Sequence, residues 1–405
     1  MKAEMVRLGD FIKIKHGFAF KSEHFAESGD NILLTPGNFG ARGGLVRKVD
    51  KDRSYDGPIP AEFVLARGDV LVAMTDLTQD APILGATLTI PEDGRYLHNQ
   101  RLGKVIVTAP RRITLRYAAH VLNLEHARAQ IRGSATGATV RHTAPDRIGD
   151  VKVPLLPFDD QIRATTLLDA IDDLIDNNLR RIRVLEEVVA RIWDRLTSAT
   201  QPGIARVPLA EVIEIDPRVA LAKDSNVPFV SMNALSTTSM VIERPSDRRA
   251  PGGSRFQNGD TLLARITPCV ENGKTGFVQF LGESDPSACG STEFIVLRSK
   301  GLLPPEFVYS LARSHAFRDV AIKSMGGSDG RQRVKRDAIA GYEVWVPTGK
   351  ALLEYTVQAR PAFQLVEALA SRNANLVKLR DLLLPKLLSS EVDVSRLPLP
   401  PEEPE

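Results

Sequence analysis

The sequence has little of what an extracellular, membrane or metal-binding protein needs. Cys269 and Cys289 are the only cysteines among 405 residues. Neither lies in a Cys-x-x-Cys pair or near spaced histidines, which leaves no disulfide framework and no structural zinc site and fits a reducing compartment. No stretch approaches the roughly 18 consecutive apolar residues of a membrane span. The opening "MKAEMVRLGDF" lacks the apolar core of a secretory signal. A soluble cytoplasmic chain with no membrane contact is therefore expected. Charge of one sign is also scarce: the formal net charge is +3. That total neither demands nor excludes a nucleic-acid partner, because local patches recruit polyanions. Catalytic signatures are missing as well. There is no H-x-x-x-H and no Asn/Asp-Pro-Pro-aromatic tetrapeptide, and the histidines are scattered, with His142 alone in a conspicuous loop.

The stretch "TPCVENGKTG", Thr267 to Gly276, contains the Gly-Lys-Thr that ends a phosphate-binding P-loop. A P-loop needs a glycine five residues before that lysine's glycine, so that backbone N–H groups wrap the phosphates and a helix follows. Pro268 stands in that place; it has no N–H and its φ is fixed. "GFVQFLG" follows and reads as strand. The segment is better explained as a tight turn between two strands, with Asn272-Gly273 as the turn pair.

The chain is written twice. "VRLGDFIKI" matches "VPLAEVIEI", and "ARGDVLVAM" matches "QNGDTLLAR". "RLGKVIV" lies opposite "TEFIVLR", and "SATGATVRHTAPDRI" opposite "MGGSDGRQRVKRDAI". Each copy then ends in a short strand reaching proline, "VKVPLLP" and "YEVWVP". Asp69 and Asp260 are 260 − 69 = 191 residues apart, and Pro154 and Pro347 are 347 − 154 = 193 apart. The spacing predicts two similar domains related by a pseudo-twofold axis. A shift of 191 puts Asp80-Ala81-Pro82-Ile83 near the counterpart of Asn272-Gly273-Lys274, with no Gly-Lys-Thr. Chemistry shared by both halves would not vary so freely, whereas a surface reading a different target in each half would.

A long helical segment follows each copy. In the first, Ile171, Ile175, Asn178, Ile182, Leu185, Val189, Ile192 and Leu196 are spaced 4, 3, 4, 3, 4, 3, 4, the seam of a coiled coil. Asn178 either fixes register inside that seam or sits in water at its mouth. In the second, Val366, Leu369, Leu376, Leu379, Leu383 and Leu387 share a face, with Pro361 marking a start or kink and Pro385 a kink. The fold class expected is mixed α+β: two similar globular domains separated by two long antiparallel coiled-coil helices. The alternative, in which each helix merely caps its own domain, is weaker because both seams outrun a small domain.

"GDTLLARITPCVENGKTGFV" followed by "GSTEFIVLR" resembles the target-recognition domain of the specificity (S) subunit, HsdS, of type I restriction-modification systems. "FDDQIRATTLLDAIDDLIDNNLRRI", with Gln161 near its start, is similar to that family's central region, and "LRDLLLPKLLSSEV" to its distal region. The end of the central helix, "RIWDRLTSATQP", departs from the aromatic-rich ending common in the family. The resemblance implies a first target-recognition domain over 1–157, a central spacer helix over 158–200, a second target-recognition domain over 201–348, a distal spacer helix over 349–392 and a flexible tail over 393–405. It also implies a non-catalytic subunit that reads a bipartite, asymmetric double-stranded DNA target for phage defence. Two methyltransferase (M) subunits carrying S-adenosylmethionine and restriction-translocase (R) subunits using ATP and Mg would join it, with no cofactor on this chain. The rival classes are a protein scaffold without DNA readout and the recognition module of an unusual methyltransferase or endonuclease complex.

Two modules on a rigid spacer suit two half-sites about one DNA turn apart, roughly 34–36 Å. Their basic residues should divide into phosphate anchors and base readers. In the second copy, Arg331, Arg333, Lys335 and Arg336 sit in a glycine-rich turn that either grips phosphates or is simply solvated. Arg265 and Lys274 could address guanine, Gln332 and Asn272 adenine, and Thr267 lies between them. The first copy offers Thr75, Asp76, Thr139, Arg141 and His142, with Met74 in the place of Arg265. Arg42, Lys48 and Arg101 are further candidates, whereas Asp69 and Asp260, each after a glycine, read as turn formers.

Overall fold

The computed structural model describes residues 3–47, 52–198, 206–221, 226–243, 245–249, 252–283, 285–327, 332–347 and 349–400. The chain divides into two units, one of Met1–Asp173 with Val377–Glu405 and one of Leu174–Leu376. Each globular domain starts with a strand that pairs antiparallel with its last strand: Glu4–Arg7 with Lys152–Leu155, and Arg206–Pro208 with Glu343–Trp345. Each then builds a four-stranded sheet. Its order is Ile12–His16, Leu102–Val107, Val70–Ala73, Thr87–Thr89 in the first unit. In the second the order is Ile213–Ile215, Phe294–Ser299, Thr261–Ala264, Thr275–Phe277. Each domain adds a further four-stranded sheet and three short helices, Leu115–Leu122, Glu125–Ser134 and Pro145–Gly149 in the first, and Pro305–Arg313, His315–Lys323 and Arg336–Ala340 in the second, which also has a one-turn helix at Leu209–Val212.

The matching sequence stretches explain the matching frames. Val70–Ala73 and Thr261–Ala264 are buried along their whole length. They therefore read as short apolar runs without polar alternation. Each begins after a glycine at positive φ, Gly68 at 85° and Gly259 at 89°, a conformation that favours a residue without Cβ. The aspartate that follows closes the turn: Asp69 accepts from the Ala66 N–H at 3.0 Å, and Asp260 from the Gln257 N–H at 2.8 Å. Both also hold a cation from the neighbouring strand. Lys104 Nζ lies 2.6 Å from Asp69, while Arg298 donates from Nε at 2.7 Å and Nη2 at 2.6 Å to the two oxygens of Asp260. Burial pushes the Asp260 carboxyl above its ordinary value, and Asp260 in turn holds Arg298 above its own. Two donors on two carboxylate oxygens are the geometry of an ionised pair.

Two long helices, Phe158–Ser198 of 41 residues and Gly349–Leu388 of 40 residues, each pass from one unit into the other. At 1.5 Å per residue each is about 60 Å long. The first is anchored at its start by Gln161. Its Oε1 accepts from the Thr114 N–H at 3.0 Å, and its Nε2 donates to the carbonyls of Arg112 and Leu156 at 2.8 and 2.9 Å. In the second unit Ile182 and Val189 pack with Phe363, Val366 and Leu369. Further along, Trp193 stacks edge-on against Phe307 and Tyr355. Glu186 ties the same helix to its domain, accepting from Ser239 Oγ at 2.7 Å and from the Met240 N–H at 2.6 Å, and burial pushes its carboxyl up. In the first unit Ala164 and Leu168 share a core with Leu387 and Leu388, and Arg380 Nη1 reaches Asp172 at 2.8 Å. The helices therefore run antiparallel in each unit.

Asn178 is inside the seam. It is 2% exposed and donates from Nδ2 to Oδ1 of Asn373 at 2.7 Å; Asn373, 7% exposed, donates to the Ile175 carbonyl at 3.2 Å. Ile171, Ile182, Val189 and Leu196 are buried, and Ile175, Leu185 and Ile192 half-buried. The distal stripe needs correction: Val366, Leu369 and Leu387 are buried and Leu376 and Leu383 half-buried, but Leu379 is 45% exposed. Asn373 and Arg380 face the central helix instead, because the contact tolerates polar groups that find partners there. The distal helix does not start at Pro361 but at Gly349, and it runs through Pro361 and Pro385 to Leu388, short of the expected 392. The segment read as a flexible tail is anchored where it begins. Val394 is buried in the first unit's core and Arg163 Nε donates to the Leu397 carbonyl at 2.8 Å, while 401–405 lie outside the described residues. Among the described residues no helix is long and apolar enough to cross a membrane.

Two stability outcomes follow from these contacts. Asn373→Leu strands the buried Asn178 amide, so the urea midpoint should fall by the equivalent of about 1–3 kcal/mol. The Asn178→Leu/Asn373→Leu double variant should recover most of it; a double variant weaker than both singles would refute the paired-amide reading. Arg298→Met leaves Asp260 buried without its cation, a loss of about 3–5 kcal/mol. The folded carboxyl pKa then lies further above the unfolded one. The variant's deficit, read by thermal melting across pH, should therefore shrink as pH falls through that raised pKa and the group is protonated.

Candidate nucleic-acid interface

In the second unit two segments distant in sequence are zipped together. The Thr267 N–H donates to the Gln332 carbonyl at 3.1 Å and the Val334 N–H to the Arg265 carbonyl at 2.8 Å, with Ile266 bridged to Arg333. Gly326 and Arg333 exchange reciprocal backbone bonds at 3.1 and 3.0 Å, and Gly327 takes φ 131°. The Arg265 N–H also donates to the Glu293 carbonyl at 3.0 Å. The Glu293 side chain then gathers both arginines. Arg333 donates from Nε at 2.9 Å and Nη2 at 2.7 Å, and Arg265 donates from Nε at 3.1 Å. The Arg333 contact, with Arg265 beside it, holds the Glu293 carboxyl below its usual value.

The first unit repeats the backbone pattern. Thr75–Asp76 pairs antiparallel with Arg141–His142. The Met74 N–H donates to the Arg101 carbonyl at 3.1 Å and the Thr143 N–H to the Met74 carbonyl at 3.0 Å. The loop 136–142 is closed by reciprocal bonds between Thr136 and His142 at 2.9 and 2.8 Å. Inside it Gly137 takes φ 98°, where a Cβ would meet the Val140 carbonyl oxygen at 2.0 Å. By these bonds Met74, Arg101 and His142 hold the positions of Arg265, Glu293 and Arg333. The scaffold is the same and the chemistry at its tip differs.

The structure separates the candidate side chains into three groups. Arg101, Thr139, His142, Asn272, Arg333, Lys335 and Arg336 are exposed around these loops, with Arg265, Thr267 and Gln332 half-buried beside them. Arg336 is paired with Asp216. A second group serves the fold. Thr75 is buried and its Oγ1 lies 3.0 Å from His142 Nδ1. Asp76 is buried and accepts from the Thr78 N–H, the Thr78 hydroxyl and the Ile83 N–H, so it shapes its own loop. Lys274 spends its ammonium on the Met232 carbonyl at 2.9 Å, and Arg141 Nη2 donates to the Arg132 carbonyl at 2.8 Å. Arg42 is ion-paired with Asp381 of the distal helix. Lys48 and Arg331 lie outside the described residues.

Asn272-Gly273 does not form a two-residue turn. Strands Thr261–Ala264 and Thr275–Phe277 are joined by 265–274, which coils through Val270 N–H to Ile266 carbonyl and Asn272 N–H to Pro268 carbonyl bonds. Thr275 begins a strand where a P-loop would begin a helix. Among the described residues no group of three or more His, Cys, Asp or Glu side chains could hold a metal ion. Glu293, the residue that organises the second site, was not among the sequence candidates. Its signal was present in "GSTEFIVLR", directly before a strand opposite Arg265, but a lone glutamate there carries no motif.

No protein-family model matches the chain. It is 29% identical over 148 residues, 35% of its length, to the specificity subunit of the type I restriction enzyme EcoEI of Escherichia coli. It is 30% identical over 135 residues, 32% of its length, to the corresponding EcoAI subunit of the same organism. The matches span 24% and 22% of those relatives, so the chain matches about a quarter of their length. The crystal structure of a type I restriction-modification S subunit from M. genitalium superposes over 95% of both chains with a TM-score of 0.58 at 14% identity, a likeness of fold. The chain is thus similar, in about a third of its sequence and across nearly all of its fold, to specificity subunits of type I restriction-modification systems.

Proposed function

We propose that this chain is the DNA-reading specificity subunit of a type I restriction-modification complex and carries no catalytic step itself. One observation supports this most: the same loop frame is built twice, with Met74, Arg101 and His142 in one copy where Arg265, Glu293 and Arg333 stand in the other. Identical frames with different tips suit two readers of different half-sites, hence a bipartite, non-palindromic target. Phosphate contacts would come from cations such as Lys335, and base contacts from the groups at the loop tips. The domains 1–157 and 201–348 would be the two readers, and the helix lengths would set the gap between half-sites.

The central helix keeps Leu174, Leu179, Val184 and Val188 exposed. At about 100° per residue Leu174, Val184 and Val188 fall within about 80° of one another around the helix, an exposed apolar strip suited to a partner surface, here for methyltransferase subunits that bring S-adenosylmethionine. Restriction-translocase subunits, using ATP and Mg, would join that core in the cytoplasm.

Purification with the methyltransferase subunits of its own system, followed by selection from a randomised duplex pool, tests the reading. A single asymmetric motif with a fixed gap should be enriched. An intact complex that enriches nothing would leave a protein scaffold instead. Inserting four residues into both helices, about 6 Å at 1.5 Å per residue, should lengthen the gap and leave each half-site unchanged; altered half-sites with an unaltered gap would contradict the spacer role. Val184→Asp should lower co-purification of the methyltransferase subunits with the circular dichroism spectrum unchanged, and full co-purification would rule out that face as the docking surface.

A further inference from the structure

We propose that Glu293 is a specificity-determining residue: it presents the Arg333 guanidinium to a guanine in the half-site read by the second unit. The proposal rests on the DNA-reading function above. Arg333 has five N–H donors, one on Nε and two on each Nη. Glu293 takes the Nε edge through Nε and one Nη2 hydrogen. The outer edge, formed by Nη1 and the second Nη2 hydrogen, stays free and has the two-donor spacing that matches guanine O6 and N7. Exposure follows the same division. The Arg333 side chain is 44% exposed, whereas those of Arg265 and Glu293 are 19% and 20% exposed. Arg265 thus lies behind, holding the carboxylate from the inner side, and Arg333 points outward.

The arrangement is pre-ordered. The Arg333 backbone is bonded in both directions to Gly326 and bridged to Ile266, and its guanidinium is held by two bonds. Much of the rotamer entropy of a long side chain is therefore lost before DNA arrives, which favours a directional contact. A carboxylate beside the guanidinium also argues against a phosphate anchor, since it would repel the phosphate that Arg333 approached. Base edges in the major groove carry no such charge. The first unit cannot build this trio, because Met74 and Arg101 occupy the places of Arg265 and Glu293. The guanine contact is accordingly confined to one half-site.

The test uses the full complex with methyltransferase subunits and duplexes carrying its selected motif, each with one base pair changed. The wild-type complex should prefer guanine at one position of the second half-site by roughly 10- to 100-fold. Glu293→Gln should reduce that preference to below about 3-fold at that position alone, while binding to unrelated duplex does not fall, because a negative charge has been removed. Arg333→Lys should lose the same preference yet keep its salt dependence, since an ammonium cannot offer the two-donor fork. Preference retained in either variant overturns the proposal. Loss spread evenly over all positions also overturns it, making the trio a brace of the fold. A wild-type complex indifferent to every base change would instead remove the DNA-reading function beneath it.

Discussion

The side-chain hydrogen bond between Asn178 and Asn373 fixes the register in which the two long helices meet in the second unit. An apolar seam of two long helices is forgiving, since isoleucine against leucine packs nearly as well one turn away. Two buried amides are not forgiving. Each finds its partner in one register only, and a slipped pairing would bury both without a hydrogen bond, at a cost well above that of a lost apolar contact. Around this bond the second unit builds its helix contacts, from Ile182 and Val189 to the Trp193, Phe307 and Tyr355 cluster. The same register carries Glu186 to the loop it clasps.

Both domains use one solution to a second problem, how to hold a variable tip on an invariant frame. The frame consists of a buried strand entered through a positive-φ glycine and an aspartate, paired to a cation on the next strand. Beyond the frame, reciprocal backbone bonds join Thr136 to His142 in one copy and Gly326 to Arg333 in the other. Backbone bonds are indifferent to side chains, so the tip can change from Met74, Arg101 and His142 to Arg265, Glu293 and Arg333 without disturbing what holds it. In the second copy the tip is further organised by charge, with one carboxylate between two guanidiniums.

The repeat and the two helices were legible because burial writes itself into spacing. "ARGDVLVAM" and "QNGDTLLAR" align through a glycine the turn needs and an apolar run the core needs, and the central seam follows its 3–4 rhythm throughout. The distal stripe misled at Leu379, because spacing counts apolar residues and the real contact face includes Asn373 and Arg380, which satisfy partners rather than filling space. Among the candidate DNA contacts, Thr75, Asp76 and Lys274 have side chains whose chemistry alone suits a DNA contact. Their burial or internal bonds emerge only when distant segments meet. Glu293 escaped for the opposite reason: an acidic residue looks wrong for a DNA-binding surface until the two arginines it joins are seen beside it.

Long-read mapping of DNA methylation in cells with and without this gene tests the proposed role most directly. A subunit that reads two unlike half-sites should account for one bipartite, non-palindromic methylated motif, present with the gene and absent without it. A methylome identical in the two strains would contradict that role.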